Sequence, residues 1–167
     1  SNPATRFGEL AGFGVRLGGY LLDGLLYGLV FALGLVPGII LIVQSFDDCA
    51  RIDEGSSIEI VCVGDQFDAG ALVGGIAAIV AAAVLVFFLY VWAVARSGQT
   101  WGRRIVGIKV IDENTGAPPG WGKALGRTLF AGLISAQILY IGYLWMLWDD
   151  KKQTLHDKVA STHVIRT

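Results

Sequence analysis

Two charged residues, Arg16 and Asp23, interrupt the otherwise apolar run "GVRLGGYLLDGLLYGLVFALG" at residues 14–34. A charge in such surroundings requires a partner or has a task. A carboxylate there can accept hydrogen bonds from a structural donor, bind a cation or carry a proton. On a helix, residues 16 and 23 share one face at a separation of about 10.5 Å along the axis, too far for an easy direct ion pair. Both side chains lean toward the helix N-terminus, so Arg16 can reach phosphates while Asp23 turns toward the same end from a few residues further in. Donors for Asp23 are available in Arg103, Arg104 and Arg127.

The other candidates for chemistry are weaker. Cys49 and Cys62 are the two cysteines of the chain, and both fall in one acidic loop. A disulfide between them is the expectation on an oxidising side of a membrane, against two free thiols or a metal pair. Cys-x12-Cys without a nearby His is poor zinc spacing, and no metal site is expected. His156 and His163 lack an accompanying ligand set and read as surface or packing residues. Ser56, Ser57 and Ser135 have no His and Asp pattern around them, and "GWGKALG" does not have phosphate-loop spacing. The chain is expected not to be an enzyme and to need no cofactor.

The elements that position these residues follow from composition. Of 167 residues 54% are hydrophobic, too many for a soluble domain of this size. Residues 17–44 contain a single charge, and residues 69–95 and 128–148 contain none. Each run is long enough to cross a bilayer, which takes about 20 helical residues. The first is too long for a secretory signal and has no small-residue cleavage site after it, so it is expected to remain as an anchor.

Charge is distributed unevenly. Residues 45–70 carry Asp47, Asp48, Asp53, Glu54, Glu59, Asp65 and Asp68 against Arg51, whereas residues 96–127 carry Arg96, Arg103, Arg104, Lys109, Lys123 and Arg127 against Asp112 and Glu113. The positive-inside rule puts the N-terminus and the 96–127 segment in the cytoplasm and the 45–68 loop outside. Small residues at four-residue spacing (Gly14/Gly18, Gly24/Gly28, Gly34/Gly38, Gly70/Gly74) predict a tight antiparallel hairpin of helices 17–44 and 69–95, with a kink near Pro37.

Past the second helix, Tyr90, Trp92 and Trp101 suit a cytoplasmic interface, and Thr100 is a candidate N-cap for a short turn carrying Arg103 and Arg104 toward lipid headgroups. The β-branched stretch Ile105–Ile111, ended by Asp-Glu-Asn-Thr-Gly, predicts a strand. Its partner is expected at Thr162–Ile165, in a small cytoplasmic sheet. The 149–167 tail must then return to the cytoplasm. Lys123 and Arg127 before the third apolar run and Lys151, Lys152, Lys158 and Arg166 after it argue likewise. Residues 128–148 are therefore expected to re-enter, folding back near Gln137–Gly142, although 21 uncharged residues are also long enough to span.

Three ordered blocks, "VRLGGYLLD", "TWGRRIVGIKVIDENTGAPPGWGKALGR" and "KKQTLHDKVASTHVI", together resemble the RDD family of bacterial membrane proteins over roughly residues 12–166. The resemblance implies that Arg16 is the family's arginine, Asp23 its first aspartate and Asp157 the second; Asp157 can accept from Arg16 or from backbone groups of the small sheet. Ser161 stands where the pattern suggests a glycine, and the Cys-containing loop is an elaboration. The combined expectation is an α-helical membrane protein with a single domain over residues 6–167: an antiparallel transmembrane hairpin, a third re-entrant or spanning segment and a small cytoplasmic β element. Its place is the bacterial inner (plasma) membrane. Membrane lipids and other membrane-protein subunits are the expected partners, with no nucleic acid. Two roles are open: an accessory subunit or assembly partner of a larger membrane complex, or a small oligomeric transporter that exchanges cations for protons, as proposed for some family members.

Overall fold

A computed structural model describes residues 7–46, 49–54, 57–62, 67–132 and 144–167; within 49–62 the description is of the backbone. Two helices are long and apolar enough to cross a membrane, α1 (Phe13–Gln44) and α2 (Ala69–Ser97). At 1.5 Å per residue they reach about 48 and 44 Å, beyond the roughly 30 Å hydrocarbon thickness. α1 continues through Pro37. Leu21, Leu25, Leu29 and Leu33 on α1 and Val73, Val80 and Val84 on α2 are exposed. So large an apolar surface suits a lipid environment.

The chain divides into two compact units, residues 28–86 in one and the remainder in the other. In the 28–86 unit, the two helices pack antiparallel through glycines. Gly34 meets Ala82, and Gly38 meets Gly75 and Ile79. A Cβ on Gly75 would lie 2.6 Å from the Gly38 carbonyl oxygen, so only glycine permits this backbone approach. Gly24 and Gly28, which lie in the other unit and at its boundary, have nothing within 4 Å of a would-be Cβ; the predicted stripe is used only in part. Asp68 caps α2, accepting from Ala71 N–H at 2.9 Å.

Between the helices, β1 (Cys49–Glu54) and β2 (Ser57–Cys62) form an antiparallel pair in which Glu54 opposes Ser57 and Cys49 opposes Cys62. A two-residue Gly-Ser connection is what such a hairpin needs. The expected disulfide falls on side chains outside the described residues.

In the other unit, α3 (Trp101–Ile105) leads into β3 (Ile108–Asp112), which pairs antiparallel with β4 (Thr162–Arg166); Val110 opposes Val164. The strand begins three residues later than Ile105 because Arg103, Arg104 and Ile105 complete a helical turn that Gly107 (φ +68) ends. Residues 9–11 add to the outer edge of β4: Ala11 N–H donates to Val164 O and Arg166 N–H to Glu9 O, both at 2.9 Å. Ile108, Val110 and Val164 form the core with Ala11, Val91, Val94 and Ala124. Gly98 (φ +70) lies where any Cβ would strike the Val110 carbonyl.

The third apolar run does not begin an element at residue 128. Its helix, α4 (Gly120–Phe130), starts eight residues earlier, in the "GWGKALGR" stretch. The predicted fold-back at 137–142 lies outside the described residues. A 3-10 turn at Trp145–Leu147 and the short helix α5 (Leu155–Val159) then lead to β4.

Candidate functional site: a buried charge cluster

The site is assembled from four places in the sequence. α3 lies against the first turns of α1 with no room to spare: a Cβ on Gly102 would come within 2.5 Å of Gly19 O and 2.6 Å of Asp23 N. That contact brings the start of α3 under the Asp23 carboxylate. Asp23 Oδ1 accepts from Gly102 N–H at 2.7 Å, and Oδ2 accepts from the Thr100 hydroxyl. Arg103 Nε stands 4.0 Å from Oδ2. Thr100 occupies the N-cap position yet makes no capping bond of its own. Its hydroxyl is given to Asp23, and Asp23 caps α3 in its place.

Arg16 turns to a different partner. Its Nη1 donates to Asp157 Oδ2 at 2.8 Å, and Nε donates to Ala11 O at 3.2 Å. Arg127 of α4 forms an ion pair with the other oxygen, its Nη1 standing 2.8 Å from Asp157 Oδ1. Asp157 also accepts from Thr154 N–H at 3.2 Å, closing the first turn of α5. It is fully buried. Burial opposes its charge, but Arg127 and Arg16 outweigh that opposition and hold its carboxyl well below the usual carboxylate range.

Arg103 completes the cluster. Its guanidinium carbon lies 5.3 and 5.5 Å from the ring centres of Tyr20 and Tyr90, and Nη2 donates to Tyr90 OH at 2.7 Å. Nη1 has no hydrogen-bond acceptor among the described residues, and the guanidinium lies between the Asp23 carboxylate and the two tyrosine ring faces. Tyr27 stacks on Trp101 at 4.7 Å, fixing α3 from the other side. His156 Nε2 bonds with Tyr20 OH at 3.2 Å and Thr154 Oγ1 at 2.9 Å. Burial pushes its imidazole down to about 3, with Arg127 and Arg103 adding to the shift, so at neutral pH it is uncharged. Three arginines thus face two aspartates and a neutral histidine.

Arg16 and Asp23 lie in one cluster without pairing, as their spacing on the helix implied, but the expected arginine donors of Asp23 are not its hydrogen-bond partners. Arg127 serves Asp157 and not Asp23, and Arg103 approaches Asp23 only at 4.0 Å. Arg104 is exposed and faces away from the cluster. Residues that sequence reasoning did not place here are Thr100, as a direct donor to Asp23, Gly102, Tyr20 and Tyr90. The "T-W-G" triplet carried the signal, since a Thr and a Gly flanking a short turn supply a hydroxyl and an unhindered amide. His163 is buried beside Glu113, whose Oε1 lies 3.5 Å from Nε2. Among the described residues no group of three or more His, Cys, Asp or Glu side chains is placed to hold a metal ion.

Comparison with known proteins agrees with this architecture. The chain is 32% identical over 124 residues to the proline-rich antigen homolog of Mycobacterium tuberculosis, a match covering 74% of this chain and 51% of the relative. It is 44% identical over 66 residues to the proline-rich antigen of Mycobacterium leprae, covering 40% of this chain and 26% of that protein. It is 38% identical over 66 residues to the uncharacterized protein YxaI of Bacillus subtilis, covering 40% and 42%. The chain thus spans about half the length of the first of these relatives. No solved structure matches it. Residues 10–161 match the RDD family, the span that contains Arg16, Asp23 and Asp157, and the chain belongs to that family of membrane-type proteins.

Proposed function

We propose that the protein is a non-catalytic subunit or assembly partner within a larger bacterial membrane complex, and that its buried charge cluster is a lock between the membrane helices and a cytoplasmic cap. The observation that carries this reading is the saturation of both carboxylates. Asp23 accepts from a hydroxyl and a backbone amide, and Asp157 accepts from Arg16 and from the Thr154 N–H and is ion-paired with Arg127. A carboxylate that exchanges cations or protons must release its partners during each cycle, whereas these are held by fixed donors whose loss would strand buried charge. A small transporter built by oligomerisation around Asp23 is the competing reading.

The same geometry favours a re-entrant third segment. Arg127, at its start, and Asp149, just past its end, engage adjacent residues of α5: Arg127 pairs with Asp157 at 2.8 Å and Asp149 with Lys158 at 2.5 Å. A spanning segment would hold its ends about 30 Å apart. The N-terminus, residues 96–127 and the tail then share the cytoplasmic side of the plasma membrane, with 45–68 outside. A disulfide between Cys49 and Cys62 belongs to this reading, and their opposition in the β1–β2 backbone register supports it.

The test is affinity purification of the full chain from native membranes under mild detergent, with identification of what is retained. Stoichiometric retention of a different membrane protein is the expected result. A pure homo-oligomer would favour the transporter.

A further inference from the structure

The outward arcs of α3 and α4 are built for lipid. On α4 the exposed positions are Trp121, Gly122, Leu125, Gly126 and Leu129, an arc without a single polar side chain, while Ala124 and Arg127 turn inward to the sheet and Asp157. A helix facing water would carry its polar residues on that arc. On α3 the exposed positions are Trp101, Arg104 and Ile105, with Ile105 66% exposed and Arg104 the one charge between two apolar neighbours. Neither helix contains an acid.

These arcs continue a surface that already faces lipid. Phe88 is exposed on α2 and its ring lies 5.7 Å from that of Trp121. Trp101 is held against Tyr27 of α1. Trp92 stands one turn beyond Phe88 on α2, and exposed Arg96, a turn further on, lies 5.8 Å over its ring. Such pairs belong at the headgroup level, where an indole tolerates both phases and a guanidinium meets phosphate.

We propose that α3 and α4 lie at the membrane boundary and that Arg104 binds the headgroup phosphate of an acidic phospholipid, with Trp101 anchoring α3 and Trp121 anchoring α4. The occupant is a lipid because the α4 arc adjoins the exposed apolar side of α2 through Trp121 and Phe88, and the one charge on the exposed arc of α3 is positive. The inference rests on the membrane reading but not on the subunit role.

The test uses the full chain reconstituted into vesicles of phosphatidylcholine and phosphatidylglycerol, with bromine carried on the acyl chains of one lipid at a time. Variants keep Trp101 or Trp121 as the one tryptophan, the others being Phe. Both indoles are expected to be quenched. Trp101 should be quenched more strongly at equal mole fraction when phosphatidylglycerol carries the bromine, corresponding to a preference of about fivefold for one cation near an acidic surface. Arg104→Gln should remove that preference, and Arg104→Lys should retain most of it. Equal quenching by the two lipids overturns the phosphate assignment. An unquenched Trp121 in correctly inserted protein overturns the lipid assignment for α4 and points to a covering subunit or second copy. Protein that fails to float with the vesicles contradicts the membrane reading itself.

Discussion

Arg16 and Asp157 stand 141 positions apart in the chain, yet Arg16 Nη1 donates to Asp157 Oδ2 at 2.8 Å with both side chains almost wholly buried. The pair ties the start of a membrane helix to a five-residue helix near the C-terminus. Arg127 on the second carboxylate oxygen makes it a triad with Asp157 as hub. Removing the hub therefore has a different consequence from removing one spoke.

Asp157→Leu leaves two buried arginines without their acid, a loss of about 3 to 5 kcal/mol, and is expected to lower membrane abundance severely. Arg16→Met leaves the Arg127–Asp157 pair intact and should cost distinctly less. Quantitative immunoblotting of membranes, with thermal unfolding of what can be purified, checks the order.

Gly102→Ala is expected to destabilise strongly, by about 1 to 3 kcal/mol or more, because the added methyl meets backbone atoms of Gly19 and Asp23 that have nowhere to go. Gly24→Ala should be neutral or slightly stabilising, since nothing lies within 4 Å and alanine is the better helix former. Parallel melting curves compare the two directly; equal effects would contradict the close packing of α3 on α1.

His156 gives a pH dependence of definite sign. Its folded-state value of about 3 lies below the ordinary 6.5, so the unfolded chain binds the extra proton first. Stability is fully present above about pH 6.5 and falls as pH drops toward 3, by at most about 1.4 kcal/mol per unit. Asp112 and Glu113, depressed by hydrogen bonds from Lys123 and Lys151, lose their contribution as pH falls below their ordinary values of 3.8 and 4.5. Unfolding temperatures between pH 7 and 4.5 should therefore decline in the unmodified protein and flatten in His156→Gln.

Much of this architecture was legible in the sequence for simple reasons. Long uncharged runs announce membrane helices whatever their partners, and β-branched "IKVID" and "THVIR" announce strands on one side of a turn signature. Arg16 was legible as a donor to Asp157, whereas the donors of Asp23 were not. Asp157 takes Arg16 and Arg127, and Asp23 is left to Thr100 and the Gly102 amide. A five-residue helix such as α3 has too few residues to show a period, so its outward Arg104 and inward Arg103 read alike. The β1–β2 hairpin was obscured because its acids stand out more than the alternation in "CARIDEGSSIEIVC".

Asp23 itself separates a structural acceptor from a carrier. Asp23→Asn keeps an oxygen that can accept from Gly102 N–H and should insert nearly normally, whereas Asp23→Leu leaves that amide and the Thr100 hydroxyl unpaired in the interior and should lose abundance. Restoration by replacing Arg103 with Met is expected to be partial, because Arg103 is not the principal donor.

The most direct measurement is ion flux in liposomes containing the purified full chain alone, comparing unmodified protein with Asp23→Asn at matched insertion. A structural lock predicts no proton or cation flux above that of empty liposomes, and no difference between the two proteins. A measurable flux that Asp23→Asn abolishes while remaining stably inserted would contradict the account and make Asp23 the working group of a transporter.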